Sequence, residues 1–173
     1  MRILIILSLT TLLACSGKKS PPAAAEATDE VVPLESTSAN LVDKIQLVDL
    51  QNNSINLNDY RGKTVFLNFW ATWCKPCILE MPSIQRAQQE LADENFVFLL
   101  ASDESIDKIK RFQSMQDFEL TFVRITDSFA ELGIYSIPTT LVIDPQGKIT
   151  LNQVGAMEWD APEVLNKLRT NTP

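Results

Sequence analysis

The sequence predicts an α/β domain in which strands and helices alternate along the chain. Two apolar runs, Thr64 to Trp70 and Phe96 to Ala101, have the length and composition of buried strands. A stretch with helical character follows each of them, from Lys75 to Ala92 and from Ile106 to Gln116. Parallel strands joined by helices form the core of α/β domains, so these four elements predict the fold class.

Further elements flank this core. Alternating apolar and polar residues on both sides of the Asn52-Asn53 turn predict an N-terminal β-hairpin between Ile45 and Leu57. Pro82 should kink the first helix, because its ring collides with the carbonyl of Ile78. The later elements are, in chain order, an extended segment at Thr121–Val123, a short helix from Phe129 to Leu132 that ends at Gly133, a hairpin of Thr139–Ile143 and Lys148–Val154, and a closing helix from Pro162 to Leu168.

Composition separates this domain from the N-terminal part of the chain. Residues 41–173 have the length of one domain with one hydrophobic core. Residues 16–40 are rich in Pro, Ala, Ser and Thr and lack apolar periodicity, which predicts a flexible linker. The chain has 22 acidic and 15 basic side chains and a net charge of −7, which argues against nucleic acid as a partner.

The first fifteen residues have the pattern of an export signal. A short basic start, Met1-Arg2, precedes an apolar stretch that is too short to span a bilayer as an ordinary helix, and Cys15 follows Ala14. This pattern resembles a bacterial lipoprotein signal, which implies a signal peptide at residues 1–14, lipid attachment at Cys15 and a lipidated linker over residues 15–40. An ordinary secretory signal or a short uncleaved anchor are the alternatives. All three place the domain outside the cytoplasm and leave the choice between inner and outer membrane open.

The pentapeptide Trp73-Cys74-Lys75-Pro76-Cys77 predicts a redox-active dithiol. Two thiols three positions apart in the first turn of a helix face the same side and can close a small disulfide. The helix N-terminus offers unpaired N–H groups and partial positive charge to a thiolate at Cys74. Lys75 adds a cation, and Pro76 suits the first helical turn because its missing N–H would have no partner there.

Other uses of a Cys-x-x-Cys pair are weaker predictions. A zinc site would need further ligands, and the sequence has no histidine and no second such pair. A haem attachment site would need histidine where Ile78 stands. A structural disulfide remains an alternative, although a loop this short removes little chain entropy. We therefore expect no metal and no cofactor.

Several motifs together resemble the thioredoxin superfamily. They are Phe69 to Cys77, Glu80-Met81-Pro82, Gly133 to Thr140, and Asp144-Pro145-Gln146-Gly147. The branch they resemble comprises the tethered extracytoplasmic thiol-disulfide oxidoreductases of the TlpA/ResA type, many of which serve cytochrome c maturation. The resemblance implies a thioredoxin-like fold, with a central mixed sheet flanked by helices, an N-terminal β-hairpin and a helical insert before Thr121.

The resemblance also implies roles for individual residues. Cys74 would be the attacking thiol and Cys77 the resolving thiol, and Pro138 would form a cis-proline loop that faces them; a trans proline that opens the next strand is the alternative. Glu80 would hold or relay a proton, unless it is simply a solvated charge on the helix. Asn68 stands where thioredoxin has a buried aspartate. The expected substrate contacts are Trp73, Lys75, Pro76 and Ile137.

The implied activity is reduction of disulfides in envelope proteins by a monomer that an upstream membrane dithiol donor recharges. The absence of histidine between the cysteines favours a reductant over an oxidant. A thiol peroxidase of the peroxiredoxin type is a rival, although its usual Pro-x-x-x-Thr-x-x-Cys pattern is absent, since Thr72 lies two positions before Cys74. A non-catalytic binding module is a second rival, but such a module should have lost one cysteine or the Pro138 loop. No function is predicted for Trp159.

Overall fold

The computed structural model of the protein describes residues 41–170. Over this range the chain forms one mixed β-sheet with helices packed against it, so the predicted thioredoxin-like α/β fold is confirmed. After a helical turn at residues 41–44, the elements are β1 Leu47–Val48, β2 Ser54–Ile55, a 3-10 helix Leu57–Tyr60, β3 Thr64–Phe69, α1 Lys75–Glu90, β4 Phe96–Ser102, α2 Ile106–Ser114, β5 Phe122–Ile125, β6 Thr139–Ile143, β7 Ile149–Val154 and α3 Pro162–Thr170.

The sheet has the strand order β2-β1-β5-β4-β3-β6-β7. Strands β3, β4 and β5 run parallel to one another, whereas the remaining neighbours pair antiparallel. Strand β3 lies between β4 and β6 and is buried along its whole length, which explains its almost uninterrupted apolar sequence. Phe69, the last residue of β3, pairs with Thr139, the first residue of β6. The end of β3 and the start of β6 therefore meet at one edge of the sheet.

The alternation of side chains along β3 divides the hydrophobic core between the two faces of the sheet. Phe66 and Trp70 belong to the cluster that contains Met81 of α1 and Trp159, whereas Leu67 and Phe69 belong to the cluster on the other face. The rings of Phe66 and Trp159 meet edge to face with their centroids 4.7 Å apart. Because Asn68 alternates with Leu67 and Phe69, its side chain lies on the same face of the sheet as α1.

The prediction of a helix from Phe129 to Leu132 is wrong. This segment forms a series of turns, in which the N–H groups of Leu132 and Ile134 both donate to the carbonyl of Phe129, at 3.1 and 2.8 Å. A segment this short makes too few bonds to offset the cost of nucleating an α-helix. Gly133, with a φ of 74°, then turns the chain away, as the sequence predicted for the end of this element.

The N-terminal hairpin is confirmed, but it is shorter than predicted. Leu57 does not continue the second strand; it begins the 3-10 helix, and the side chain of Asn56 caps that helix by accepting the N–H of Asn58 at 2.9 Å. An Asn side chain that can bond to the backbone favours a cap over a strand at this position. The first two helices end at Glu90 and Ser114, each two residues earlier than predicted, because helix ends fray over one or two residues.

The predicted signal peptide at residues 1–14, Cys15 and the linker to residue 40 lie outside the described residues. Within residues 41–170, no helix combines the length and the apolar character needed to cross a membrane. Pro82 lies inside α1. The kink expected at Pro82 stays a prediction.

Candidate functional site

The cysteine pair lies where β3 passes into α1. Cys74 is the N-cap residue of α1, and its Sγ accepts the backbone N–H of Cys77 at 3.3 Å. The two residues form a disulfide across one helical turn, with their Cα atoms 5.3 Å apart. The structure therefore shows the oxidised form of the predicted dithiol, with Cys74 placed to receive the partial positive charge of the helix N-terminus once it is reduced.

The two sulfur-bearing residues differ in their access to solvent. Cys77 is fully buried, whereas Cys74 is 3% exposed. The residues around Cys74 are much more open, since Lys75 and Pro76 are exposed and Trp73 is 70% exposed. An incoming sulfur atom can approach only from the side of Cys74, which suits the attacking role that the resemblance implies for it.

The loop before Cys74 is held by Glu104, which follows the carboxyl end of β4. Its carboxylate accepts the N–H of Thr72 at 2.6 Å and the hydroxyl of Thr72 at 3.0 Å, and it forms an ion pair with Lys108. Burial raises the pKa of the Glu104 carboxyl, but hydrogen bonds from Lys108 and Thr72 outweigh burial and bring the pKa below its usual value. Sequence reasoning missed Glu104, although an acid at the carboxyl end of a parallel strand was a usable signal.

The Ile137–Pro138 peptide bond is cis, the isomer that the resemblance implies. Pro138 directly precedes Thr139, which pairs with the last residue of β3, so Pro138 and the dithiol lie at the same edge of the sheet. Its carbonyl accepts the N–H of Gly155 at 2.8 Å. Pro138 is buried. Of the predicted substrate contacts, Trp73, Lys75 and Pro76 are exposed and Ile137 is half-buried.

Glu80 is a buried carboxylate with three hydrogen-bond donors. It is 4% exposed, and it lies on the same face of α1 as Cys77, one turn further along the helix. Asn68 donates its side-chain amide to Oε1 at 2.9 Å, and Oε2 accepts the indole N–H of Trp159 at 3.0 Å and the backbone N–H of Met157 at 3.1 Å. Burial raises the pKa of Glu80 in spite of these three donors. The alternative of a solvated helix charge is therefore wrong.

Asn68 connects this carboxylate to the sheet. Its amide nitrogen donates to Glu80 and also to the hydroxyl oxygen of Thr140 on β6, in both cases at 2.9 Å. The substitution of asparagine for the aspartate of thioredoxin therefore provides a donor where thioredoxin has an acid. In this protein the titrating carboxyl on this side of the sheet is supplied by α1 instead of β3.

Sequence reasoning missed Trp159 and Met157. Trp159 is fully buried and belongs to the same hydrophobic cluster as both cysteines, and its ring nitrogen binds the carboxylate of Glu80. Trp159 lies 79 positions and Met157 77 positions from Glu80 in the sequence, so no local sequence pattern predicts these contacts. Among residues 41–170, no group of three or more His, Cys, Asp or Glu side chains is arranged to hold a metal ion.

Substitution of Glu80 by Gln should change how stability depends on pH. Because the folded-state pKa of Glu80 lies above its ordinary value of 4.5, the stabilisation from its protonated form is complete below that value and is lost as pH rises through the raised pKa. The free energy of unfolding of the oxidised wild type, minus that of Glu80→Gln, should therefore fall with rising pH. Urea unfolding between about pH 4 and pH 8 measures this difference.

The control is Glu131→Gln. Glu131 accepts hydrogen bonds from Ser128, which lower its pKa, so the stability it provides is complete above the ordinary value of 4.5 and is lost as pH falls below it. The corresponding difference should therefore be flat over most of the range and should fall only at its acid end. A flat or rising difference for Glu80→Gln would contradict the assignment of a raised pKa.

Comparisons with known proteins identify the family of this chain. Residues 39–152 match the AhpC/TSA family. The chain is 37% identical over 115 residues to the thioredoxin-like protein YneN of Bacillus subtilis, covering 64% of this chain and 68% of that protein. It is 35% identical over 108 residues to the thiol-disulfide oxidoreductase ResA of Bacillus thuringiensis, covering 60% of this chain and 61% of that protein. The chain thus spans roughly two thirds of these relatives.

Solved structures agree with this match. The exposed lipoprotein thioredoxin Etrx1 of Streptococcus pneumoniae superposes with a TM-score of 0.60 at 29% identity, covering 72% of this chain and 97% of that chain. The thioredoxin domain of a thiol-disulfide oxidoreductase from Bacteroides vulgatus superposes with a TM-score of 0.63 at 23% identity, covering 75% of this chain and 93% of that chain, and supports the fold alone. The chain therefore belongs to the AhpC/TSA family, as a thioredoxin-like member of the thiol-disulfide oxidoreductase type.

Proposed function

We propose that the protein reduces disulfide bonds in proteins of the cell envelope, outside the cytoplasm, through the Cys74/Cys77 dithiol. The observation that carries the proposal is the juxtaposition on α1 of a nearly buried attacking cysteine, a fully buried resolving cysteine and a buried carboxylate one turn beyond it. Relatives named as thiol-disulfide oxidoreductases support the same chemistry. No cofactor takes part, because both electrons come from the two thiols.

The first step forms a mixed disulfide. The Cys74 thiolate attacks one sulfur of the substrate disulfide, a bond forms between Cys74 Sγ and that sulfur, and the other substrate sulfur leaves as a thiolate that takes a proton from water. The N-cap position of Cys74 supports the attacking thiolate through the partial charge of the helix. Cys77 cannot compete for this step, because it is fully buried.

The second step releases the substrate. Cys77 loses its proton to the Glu80 carboxylate, and its thiolate attacks Cys74 Sγ, so that the bond to the substrate breaks and the Cys74–Cys77 disulfide forms. The substrate leaves with both its sulfurs reduced, and the enzyme has lost two electrons. A raised pKa suits Glu80 to this task, because a general base is most effective when its pKa approaches the working pH. An upstream dithiol donor then reduces the enzyme again.

The exposed side chains around the dithiol support the proposal that the substrates are proteins. Trp73 and Leu79 are 70% and 69% exposed beside the cysteines, and Tyr135, which lies shortly before Pro138, is 86% exposed. Val154 is 58% exposed on the edge strand and pairs with Thr139 at the same edge of the sheet. Exposed aromatic and aliphatic side chains of this kind are typical of surfaces that bind polypeptides. Envelope proteins of cytochrome c maturation are the substrates that the resemblance implies.

The location is inferred from the sequence. A signal-like start and Cys15 support a lipid-anchored protein whose domain lies outside the cytoplasm. The pneumococcal protein with which the structure superposes is itself named an exposed lipoprotein. The linker of residues 16–40 would let the domain sample partners near the membrane surface.

Removal of the resolving cysteine should trap the substrate. In Cys77→Ser the first step can proceed and the second cannot, so a covalent complex with an envelope protein should accumulate and should disappear on treatment with a reductant. Gel analysis without reductant followed by mass spectrometry identifies the attached protein. Cys74→Ser is the matched control and should trap nothing. If Cys77→Ser also traps nothing, while Cys74 of the wild type reduces peroxide rapidly, the enzyme is a peroxidase instead.

The redox potential should be that of a reductant. Lys75 is exposed, so its ammonium group can remain hydrated and stabilises the Cys74 thiolate only modestly. A modestly stabilised thiolate gives a potential nearer to the −270 mV of thioredoxin than to the approximately −120 mV of a strong oxidant. Equilibration of the domain with dithiol buffers of known potential measures the midpoint. A value close to that of the oxidant would reverse the proposed direction of electron flow.

The anchor should depend on Cys15. We expect the wild type expressed in bacteria to incorporate labelled fatty acid and to partition into detergent, whereas Cys15→Ala should do neither. The disulfide chemistry of the purified protein in vitro should be unchanged in Cys15→Ala, because Cys15 lies outside the domain of residues 41–173 that contains the dithiol. A wild-type protein without lipid would contradict the proposed anchor and leave the chemistry of the domain untouched.

A further inference from the structure

The segment Gly155–Ala161, here called the strap, connects β7 to α3 and runs along α1. Three residues of α1 at intervals of three positions bind it: Glu80, Ser83 and Arg86. Residues at this spacing share one face of a helix, so the strap follows a single stripe of α1. Glu80 lies at the inner end of the stripe, near the cysteines, and Arg86 lies at the outer end.

The middle of the stripe is buried. Ser83 is 2% exposed, and its Oγ accepts the backbone N–H of Trp159 at 3.1 Å while it donates to the carbonyl of Glu80 at 2.8 Å. The same tryptophan donates its ring N–H to the Glu80 carboxylate. Both the backbone and the side chain of Trp159 are therefore tied to α1.

The outer end of the stripe is a double ion pair. Nη2 of Arg86 lies 2.8 Å from Glu158 Oε1 and 3.2 Å from Asp160 Oδ1, and Nε of Arg86 donates to the second oxygen of Asp160. The guanidinium thus binds the two residues that flank Trp159 in the strap, Glu158 and Asp160. An ion pair this exposed, with the arginine side chain 49% accessible, contributes little to global stability, so its main effect is on geometry.

We propose that Arg86 is a positioning residue for the second step of the reaction, because it holds the strap where Met157 and Trp159 can donate to Glu80 and exclude water from it. This inference rests on the proposed function, specifically on Glu80 as the proton acceptor for Cys77. Arg86 itself touches neither the cysteines nor Glu80 in any hydrogen bond of the described structure, and it acts through the strap.

The environment of Glu80 gives the direction of the effect. The groups that bind Glu80 are Asn68 of β3, with Thr140 of β6 behind it, and Met157 and Trp159 of the strap, and none of these is a titratable group. Cys77 lies one turn before Glu80 on the same face of α1. The charged groups of the strap face Arg86 instead. Loosening the strap has two opposed effects on the pKa of Glu80: it withdraws the donors Met157 and Trp159, which lower that pKa, and it admits water, which removes the burial that raises it. Burial outweighs the three donors together in the intact structure, so the net effect of losing both is a lower pKa. A weaker base then accepts the Cys77 proton more slowly.

A single-turnover reaction separates the two steps. When the reduced protein is mixed with 5,5'-dithiobis(2-nitrobenzoate), attack by Cys74 releases the first thionitrobenzoate and attack by Cys77 on the mixed disulfide releases the second. Stopped-flow absorbance follows both phases as a function of pH. In Arg86→Met the acid limb of the second phase should move to lower pH by about half a unit, and the plateau rate should fall severalfold. The first phase should be unchanged.

Matched variants distinguish positioning from general disruption. Arg169→Met removes an arginine whose ion pair joins Glu94 instead of the strap, and it should behave as the wild type. Asp160→Asn should shift the second phase in the same direction as Arg86→Met, and Arg86→Lys should restore part of the wild-type profile. In a Glu80→Gln background, Arg86→Met should have no further effect on the acid limb.

The outcomes separate this inference from the proposed function. If Glu80→Gln leaves the acid limb of the second phase intact, Glu80 is not the proton acceptor and the proposed second step fails. If Glu80→Gln abolishes that limb and Arg86→Met matches the wild type, the positioning role of Arg86 alone is overturned. An equal effect of Arg86→Met on both phases, or an effect that persists without Glu80, would also overturn it.

Discussion

The burial of one carboxylate organises the reactive side of this domain. An ionised side chain that leaves water costs several kcal/mol unless donors replace its hydration. At Glu80 three donors come from two separate parts of the chain, namely the central strand through Asn68 and the strap through Met157 and Trp159. Strand β3, helix α1 and the strap must therefore all be packed together before Glu80 can be buried. Cys77 lies one turn before Glu80 on the same face of α1, so the folding that buries the carboxylate also completes the surroundings of the resolving cysteine.

The balance between burial and hydrogen bonding also decides what the carboxylate can do. Donors favour its ionised form, burial favours its neutral form, and here burial is the stronger influence. The nearby Glu104 shows the opposite balance, because an ion pair with Lys108 adds to the bonds from Thr72. One acid is thus suited to accept a proton, whereas the other stays ionised and holds the loop that leads to Cys74. Two carboxyl groups of one site acquire different tasks from their surroundings.

Local patterns predicted much of the fold and the centre of the site. The continuous apolar run of β3 identified a buried central strand, and the spacing of Cys74 and Cys77 identified a pair able to form a disulfide. The prediction failed where local signals compete, as in the segment from Phe129 to Gly133, which has helical residues but too few of them. It also failed where a contact joins distant parts of the chain. Trp159 looked like an ordinary aromatic residue, because its partner Glu80 lies 79 positions away.

The absence of histidine has a consequence for how the protein responds to acid and base. Histidine is the side chain whose ordinary pKa falls between pH 5 and pH 8, and this sequence contains none. Side chains with ordinary pKa values therefore neither gain nor lose protons across the neutral range. A difference in proton uptake there between the oxidised and reduced protein reports on the thiols and on carboxyl groups with displaced pKa values, so bulk potentiometry can count the protons of the site without isotopic labels.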